Sequence, residues 1–225
     1  ARVIVPALRA QGISHLDMLV ISHADTDHSG GAASVLRLIG ADQVFSSIPD
    51  GHRLLEGIPQ HQACMRGHAW QWGTVRFEYL HPGPEFPPGA ARSPTNARSC
   101  VLKIDAPAGS VLLAGDIEAR QELDLIERHA SRLQSDLLLA PHHGSNTSST
   151  EPFLKAVAPR AALFQVGYRN RFRHPTSKVL ARYRAAGIDI LRTDHDGALR
   201  IHATAANQPW QIERARNSPT RYWRV

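Results

Sequence analysis

Four side chains that commonly bind metal ions lie within six residues near the start of the chain. They are His23, Asp25, Asp27 and His28, and they follow Leu16–Ser22, an apolar run that predicts a buried strand. A rigid strand can aim the side chains of the following loop at one point, so this spacing indicates a metal site. Imidazole and carboxylate groups suit Zn²⁺, Mn²⁺ or Fe, and the high share of oxygen favours Mn²⁺ over Zn²⁺.

Two other kinds of metal site do not fit this cluster. Asp25, Asp27 and Ser29 match the start of a calcium-binding EF-hand loop, but Leu36 stands where that loop requires a bidentate Glu. A helical zinc site needs a Glu between two His residues spaced i and i+4, and the cluster has neither. A chance group of turn residues is the remaining alternative.

A second carboxylate follows a predicted strand further along the chain. Ser110–Ala114 is apolar and leads through Gly115 to Asp116, which can reach a metal from the end of a sheet. The same Asp116 is also placed to cap a helix predicted over Ile117–His129, because Asp is a favoured N-cap residue. Both interpretations remain open for this residue.

A third cluster, Pro-His-His-Gly-Ser, follows the predicted strand Asp136–Ala140. It contains His142 and His143, and adjacent histidines are hard to explain as core residues. Because neighbouring side chains of an extended chain diverge, we expect only one of them to bind metal, while the other supports it or faces substrate.

Composition favours an anionic partner, such as nucleic acid or a lipid surface. The chain has 26 Lys and Arg against 20 Asp and Glu, a net charge of +6, and 13 His. Cys64 and Cys100 form no C-x-x-C pattern, so the sequence indicates neither a thiolate zinc site nor a disulfide framework. We find no apolar run of the ~20 residues that span a bilayer and no signal peptide. Because the chain starts with Ala, we expect a fragment of a longer protein.

Short apolar runs alternate with helix-like stretches, which predicts an α/β fold, and 225 residues suit one domain. The proline-rich stretch His81–Thr95 predicts a surface loop. The predicted helices are Ala32–Ile39, Ile117–His129, Glu151–Val157 and Thr176–Ala186. The predicted strands are Leu16–Ser22, Asp42–Ser46, Thr74–Leu80, Cys100–Ile104, Ser110–Ala114, Asp136–Ala140, Ala161–Val166, Asp189–Arg192, Ala198–Ala203 and Trp210–Ile212.

The three clusters together resemble the metallo-β-lactamase fold family, in the variant where Asp25 replaces the usual second histidine. Five longer strings narrow the resemblance: SHADTDHSGG (22–31), LLAGDIE (112–118), APHHGSNTSS (140–149), VGYRNRFRHP (166–175) and RTDHDGA (192–198). They resemble the C-terminal hydrolase-like domain of the ComEC family, bacterial channel proteins that import transforming DNA.

The resemblance implies an αββα sandwich over residues 1–225, in which the first strands of the fold are missing. It implies one or two divalent metal ions, with Asp116 as the bridging carboxylate and Asp27 orienting the attacking water. Two metals ~4 Å apart can stabilise both the attacking and the leaving oxygen of a phosphodiester. The implied metal ligands are His23, Asp25, Asp27, His28, Asp116 and His142.

Candidate substrate contacts lie in the third cluster and in the basic segment that follows Val166. We expect this segment to hold a phosphate, and His174 to protonate the leaving oxygen; a solvated basic turn is the alternative. The candidate substrate-binding residues are His143, Ser145, Tyr168, Asn170 and Arg171.

Two functions from different classes follow. The first is a phosphodiesterase that degrades the DNA strand that is not imported, working with the membrane channel part of the same inner-membrane protein and other competence proteins, and facing the periplasm or exterior. The second is a non-catalytic DNA-binding or gating module, because the family's middle histidine falls at Asn96 or Ser99. Hydrolysis of another ester or a lactam is a third possibility. No Gly-x-Ser-x-Gly motif supports a serine hydrolase.

Overall fold

The computed structural model describes residues 2–56, 58, 60–86, 94–203, 208 and 210–216. The chain forms two compact units. The first comprises Ala1–His68 and Tyr79–Val101, and the second comprises Ala69–Glu78 and Leu102–Val225. Within the described ranges, no helix has both the length and the apolar character to cross a membrane. A single domain over the whole chain stays a prediction.

The first unit contains a small parallel sheet covered by short helices. Among its described residues the strand order is β1-β2-β3, with Leu16 opposite Ala41 and Val44 opposite His61. Ile21 and Val44 are buried in its core. The elements are α1 Ile4–Ala10, β1 Leu16–Ile21, α2 Thr26–Ser29, α3 Ala32–Leu38, β2 Ala41–Ser46 and β3 His61–Ala63.

The second unit is built on a larger mixed sheet. In the described part of the chain its strand order is β10-β9-β8-β7-β6-β5-β4; residues 79–81 of β5 and Val101 of β6 are counted with the first unit. The strands are β4 Ala69–Trp72, β5 Val75–His81, β6 Val101–Ala106, β7 Gly109–Leu113, β8 Leu137–Leu139, β9 Ala161–Phe164 and β10 Asp189–Arg192. The remaining elements are α4 Ala119–His129, α5 Glu151–Val157, α6 Ser177–Ala185, α7 Thr193–Asp196, β11 Leu199–His202 and β12 Gln211–Arg214.

Three adjacent strands of this sheet end together. β7, β8 and β9 are parallel, and Leu113 lies opposite Leu139, which lies opposite Leu163. Because the carboxyl ends of parallel strands meet at one edge, the segments that follow these strands emerge side by side. Those segments carry Asp116, the His-His-Gly-Ser cluster and the basic segment after Val166.

Helices cover the sheet with apolar side chains at helical spacing. Leu125 of α4, Phe153 and Val157 of α5, and Val179 of α6 are all fully buried. α5 and α6 each begin directly after a threonine, Thr150 and Thr176. In α6 the Thr176 hydroxyl accepts from the backbone N–H of Val179, which satisfies an otherwise unpaired donor.

The predicted strands and helices are confirmed to within two residues, and the two-residue shift at the start of one helix is informative. α4 begins at Ala119 and Glu118 is its N-cap, so Asp116 is not a helix cap. The sequence missed α1, α2, α7, β3 and β4, which are too short or too polar for a clear apolar period. The predicted loop His81–Thr95 has no regular structure at residues 82–86 and 94–95, while 87–93 lie outside the described residues.

A disulfide joins Cys64 and Cys100, with their Cα atoms 5.8 Å apart, so the expectation that these residues form no disulfide is wrong. The backbone N–H of Cys64 donates to the Ser46 carbonyl, and that of Cys100 donates to the Ser22 carbonyl. Ser22 and Ser46 lie at the ends of the paired strands β1 and β2. Strand pairing therefore brings together two cysteines that are 36 residues apart in sequence.

We predict that replacing both cysteines with Ala lowers the free energy of unfolding by about 3 kcal/mol, because the bridge closes a long loop and restricts the unfolded chain. Urea titration with and without a reductant measures this. The reductant should destabilise the wild type to a similar extent and leave the double variant unchanged. Equal stability of the oxidised wild type and the double variant would rule out a stabilising bridge.

Candidate functional site

In the first unit, the Ser22 hydroxyl organises the two histidines that follow β1. Its Oγ lies 3.1 Å from Nδ1 of His23 and 3.0 Å from Nδ1 of His28. The two rings are 4.1 Å apart between centroids, and the His23 side chain is fully buried. Both rings therefore use Nδ1 towards the same hydroxyl, which directs each Nε2 away from it.

Ser99 provides a second hydroxyl beside His23. Its Oγ lies 3.3 Å from His23 Nδ1, and the next residue, Cys100, is the one that bonds to the Ser22 carbonyl and forms the disulfide. The bridge thus anchors the Ser99 segment beside the strand that carries Ser22 and His23.

The carboxylates of this cluster belong to the start of α2. Asp25 is its N-cap residue, and its Oδ2 lies 3.7 Å from Nε2 of His23. Asp27 has an exposed side chain in the first turn of α2. The turn closes tightly, because a Cβ on Gly30 would lie 2.5 Å from the carbonyl oxygen of Thr26, and only glycine fits there.

In the second unit, two imidazole nitrogens converge on one carboxylate oxygen. Oδ2 of the buried Asp116 lies 3.9 Å from Nε2 of His142 and 3.5 Å from Nε2 of His143. Both histidines are in the left-handed region, with φ of 48° and 52°. Two successive left-handed residues do not alternate as extended residues do. The expectation that the two side chains diverge is therefore wrong.

Hydrogen-bond acceptors set the tautomer of both histidines. Thr147 Oγ1 donates to Glu118 Oε1 at 2.9 Å, and Nδ1 of His142 lies 3.2 Å from that hydroxyl and 3.3 Å from that carboxylate oxygen. His143 Nδ1 lies 2.8 Å from the carbonyl oxygen of Gln165. Because these partners accept, each Nδ1 carries the proton and each Nε2 presents a lone pair.

The loop that carries these histidines is held by hydrogen bonds to two side chains, those of Glu122 and Arg182. The fully buried Glu122 carboxylate accepts from the backbone N–H groups of Ser149 and Thr150. Arg182 of α6 donates to the carbonyls of Ser148 and Ser149. Burial raises the pKa of Glu122, and the hydrogen bonds from Thr150 and Ser149 oppose that shift. Ser145 also stabilises the loop, because its Oγ lies within hydrogen-bond distance of Thr147 Oγ1, at 3.1 Å.

The segment after β9 is a basic loop, residues Tyr168–Arg173, with exposed aromatic rings. The Arg169 guanidinium lies 5.2 Å from the Tyr168 ring centroid, and that of Arg171 lies 4.6 Å from the Phe172 centroid. Asn170 holds the loop in shape: its amide donates to the His174 carbonyl at 2.7 Å and accepts from the His174 N–H at 2.9 Å.

His174 connects this loop to the histidine pair. Its ring lies 6.0 Å from that of His142, and its Nδ1 is buried without a hydrogen-bond partner among the described residues. Burial lowers the pKa of His174; the neighbouring His142 and His143 add to this effect, and Asp116 opposes it.

Each unit assembles one part of the residue set taken from the sequence. The first unit brings His23, Asp25 and His28 together, and the second brings Asp116, His142 and His143 together. The sequence missed the roles of Ser22, Ser99 and Glu118. Two of these residues have a signal in the sequence. Ser22 is a hydroxyl residue directly before the first histidine, and Glu118 is a carboxylate two residues after the Gly-Asp pair.

Comparison with known proteins identifies the family and the fold. Residues 2–167 match the model of the metallo-beta-lactamase superfamily. The chain is 40% identical to competence protein ComA of Neisseria gonorrhoeae over 201 residues, which is 88% of this chain and 27% of that protein. It is 31% identical to ComE operon protein 3 of Bacillus subtilis (strain 168) over 207 residues, again 88% of this chain and 26% of that protein. The chain thus spans about a quarter of the length of these relatives.

A solved structure gives the same fold at much lower identity. Tm1679, described as a metal-dependent hydrolase of the beta-lactamase superfamily, aligns with a TM-score of 0.52 at 12% identity. The alignment covers 85% of this chain and 82% of that one. The metallo-β-lactamase fold expected from the sequence is confirmed.

We predict that Glu118→Ala weakens the binding of Zn²⁺ or Mn²⁺ by about 10- to 100-fold, because His142 loses the acceptor that orients its ring. Competition against a chelating dye measures this on the metal-free protein. Glu118→Gln retains an acceptor and should lose less. Glu127→Ala, an exposed position on the same helix, is the matched control. Equal affinities for the wild type and Glu118→Ala would contradict the role given to Glu118.

Proposed function

The chain belongs to the metallo-beta-lactamase superfamily, and from this premise we propose that it is a metal-dependent phosphodiesterase that cleaves DNA during DNA uptake. Its curated relatives of the competence type support the link to DNA uptake. The net charge of +6 suits a polyanionic substrate. We propose that the strand that is not imported is the one degraded.

One observation carries the hydrolase proposal: the Nε2 lone pairs of His142 and His143 converge on Oδ2 of Asp116. The donor set of imidazole nitrogens and carboxylate oxygens fits a divalent transition metal, and its oxygen share is the basis for proposing Mn²⁺ over Zn²⁺. We propose one or two ions. The proposed ligands are His23, Asp25, Asp27, His28, Asp116, His142 and, by its equivalent approach to Asp116, His143.

The bound metal would lower the pKa of a water molecule and polarise a phosphodiester. The chain's own residues would then orient the attacking water and transfer a proton to the leaving oxygen. The exposed Asp27 carboxylate is proposed to accept a hydrogen bond from the attacking water, and His174 to deliver a proton to the leaving oxygen. We propose that Tyr168 and Arg171 contact the DNA, while Ser145 and Asn170, whose side chains bond within their own loops, hold those contacts in place.

The proposed location of this domain is the periplasmic or exterior face of an inner-membrane protein, next to the channel part and other competence proteins. The Cys64–Cys100 bridge supports that side, because disulfides persist in oxidising compartments and are rare in the cytosol.

A non-catalytic DNA-binding or gating module is the second candidate. It is favoured by one observation: Ser99, one of two positions where the resemblance places the family's middle histidine, contributes a hydroxyl 3.3 Å from His23 Nδ1. A hydroxyl is a weaker metal ligand than an imidazole. Metal content and cleavage together discriminate between the two candidates.

We predict that Asp116→Asn and His142→Ala each reduce metal-dependent cleavage of a labelled oligonucleotide by about a thousandfold, because each removes a proposed ligand. Elemental analysis of the same samples should show reduced metal. Chelation should abolish wild-type cleavage, and Mn²⁺ should restore it more fully than Zn²⁺.

The matched control is Asp42→Asn, an exposed carboxylate paired with His15 in the first unit. It should keep both metal and activity. Full cleavage by Asp116→Asn would refute the hydrolase assignment, and wild-type protein that binds DNA without metal or cleavage would establish the second candidate.

A further inference from the structure

The basic loop Tyr168–Arg173 presents two large aromatic rings to solvent. Tyr168 is 69% exposed and Phe172 is 60% exposed. Both belong to a loop whose conformation is set by its own hydrogen bonds, since the Asn170 side chain bridges to the backbone of Gly167 and His174. Exposed rings on an ordered loop suit binding rather than core packing.

No carboxylate among the described residues pairs with the arginines of this loop. No acidic residue occurs from Gln165 to Thr176. In the described part of the chain, Arg169, Arg171 and Arg173 form no ion pair, and the first two lie against the rings of Tyr168 and Phe172. By contrast, Arg66 and Arg128 are paired with carboxylates.

Alternating aromatic and guanidinium groups match the chemistry of one polyanion in particular. Guanidinium groups bind phosphates, whereas exposed rings gain from stacking only when bases are unpaired and their faces are accessible. A duplex keeps its base faces stacked and offers only phosphates and groove edges to such a loop. The combination therefore favours a single strand over a duplex.

We propose that the loop Tyr168–Arg173 is a binding platform for single-stranded DNA, with Tyr168 and Phe172 stacking on unpaired bases and the arginines contacting phosphates. This inference rests on the proposed function for its ligand, DNA, and specifies the form of the strand. The loop delivers the strand next to His142, because the Phe172 ring stacks on His174 at 5.9 Å and His174 contacts His142.

The test measures binding without cleavage. Fluorescence anisotropy of a labelled strand of roughly 15 nucleotides, and of a hairpin duplex with the same number of phosphates, is recorded with a chelator present. The wild type should bind the single strand more tightly. The double variant Tyr168→Ala/Phe172→Ala should weaken single-strand binding by about tenfold or more per ring and leave duplex binding nearly unchanged.

Two control variants test whether the loss of binding is specific to the rings of this loop. Trp72→Ala removes another exposed aromatic side chain, 48% exposed on β4, and should bind like the wild type. Tyr168→Phe keeps the ring and should also bind normally. Arg171→Ala should reduce the slope of log affinity against log salt by about 0.7, the value for one phosphate of a single strand.

The outcomes separate this inference from the proposed function. Equal losses for single strand and duplex, no loss in the ring variants, or a wild-type preference for duplex would each overturn the platform. Ring-dependent binding in a protein that cleaves nothing with any metal would leave the platform standing and refute the phosphodiesterase. Metal-dependent cleavage that the ring variants leave unchanged would overturn the platform and leave the phosphodiesterase standing.

Discussion

The in-register ends of β7, β8 and β9 are the constraint on which the second unit's site depends. Leu113, Leu139 and Leu163 lie side by side, so the chain leaves the sheet at three adjacent points. These points supply a carboxylate, a pair of imidazoles and a basic loop. A slip of one residue in any strand would turn its side chains to the opposite face and shift the segment that follows. The parallel pairing of the strands thus positions the segments that follow them, and these segments carry the functional side chains.

The loop after β8 holds an unfavourable backbone conformation. His142, His143 and Ser149 all have positive φ, which costs on the order of 1 kcal/mol or more for each residue. Hydrogen bonds offset this cost: Glu122 accepts from two backbone N–H groups, Arg182 donates to two carbonyls, and the Ser149 hydroxyl bonds to that of Tyr183. The conformation that brings both histidines to Asp116 is therefore maintained by residues far from them in sequence.

The sequence predicted the helices and strands better than the contacts between the candidate site residues. Apolar runs such as Leu16–Ser22 gave the strands, and polar residues after them gave the candidate ligands. The sequence did not predict contacts that form only in the tertiary structure: Cys64 with Cys100, Ser99 with His23, and Glu118 with Thr147. The left-handed histidines were missed for a local reason, because non-glycine residues rarely adopt positive φ and nothing in Pro-His-His-Gly announces it.

The central claim is that Asp116, His142 and His143 form part of a metal centre. Anomalous diffraction from crystals of the protein grown with Mn²⁺ tests it most directly. The account predicts a peak about 2 Å from Oδ2 of Asp116 and from Nε2 of both histidines, within ordinary coordination distance. A fully ordered site with no anomalous peak beside Asp116 would contradict it.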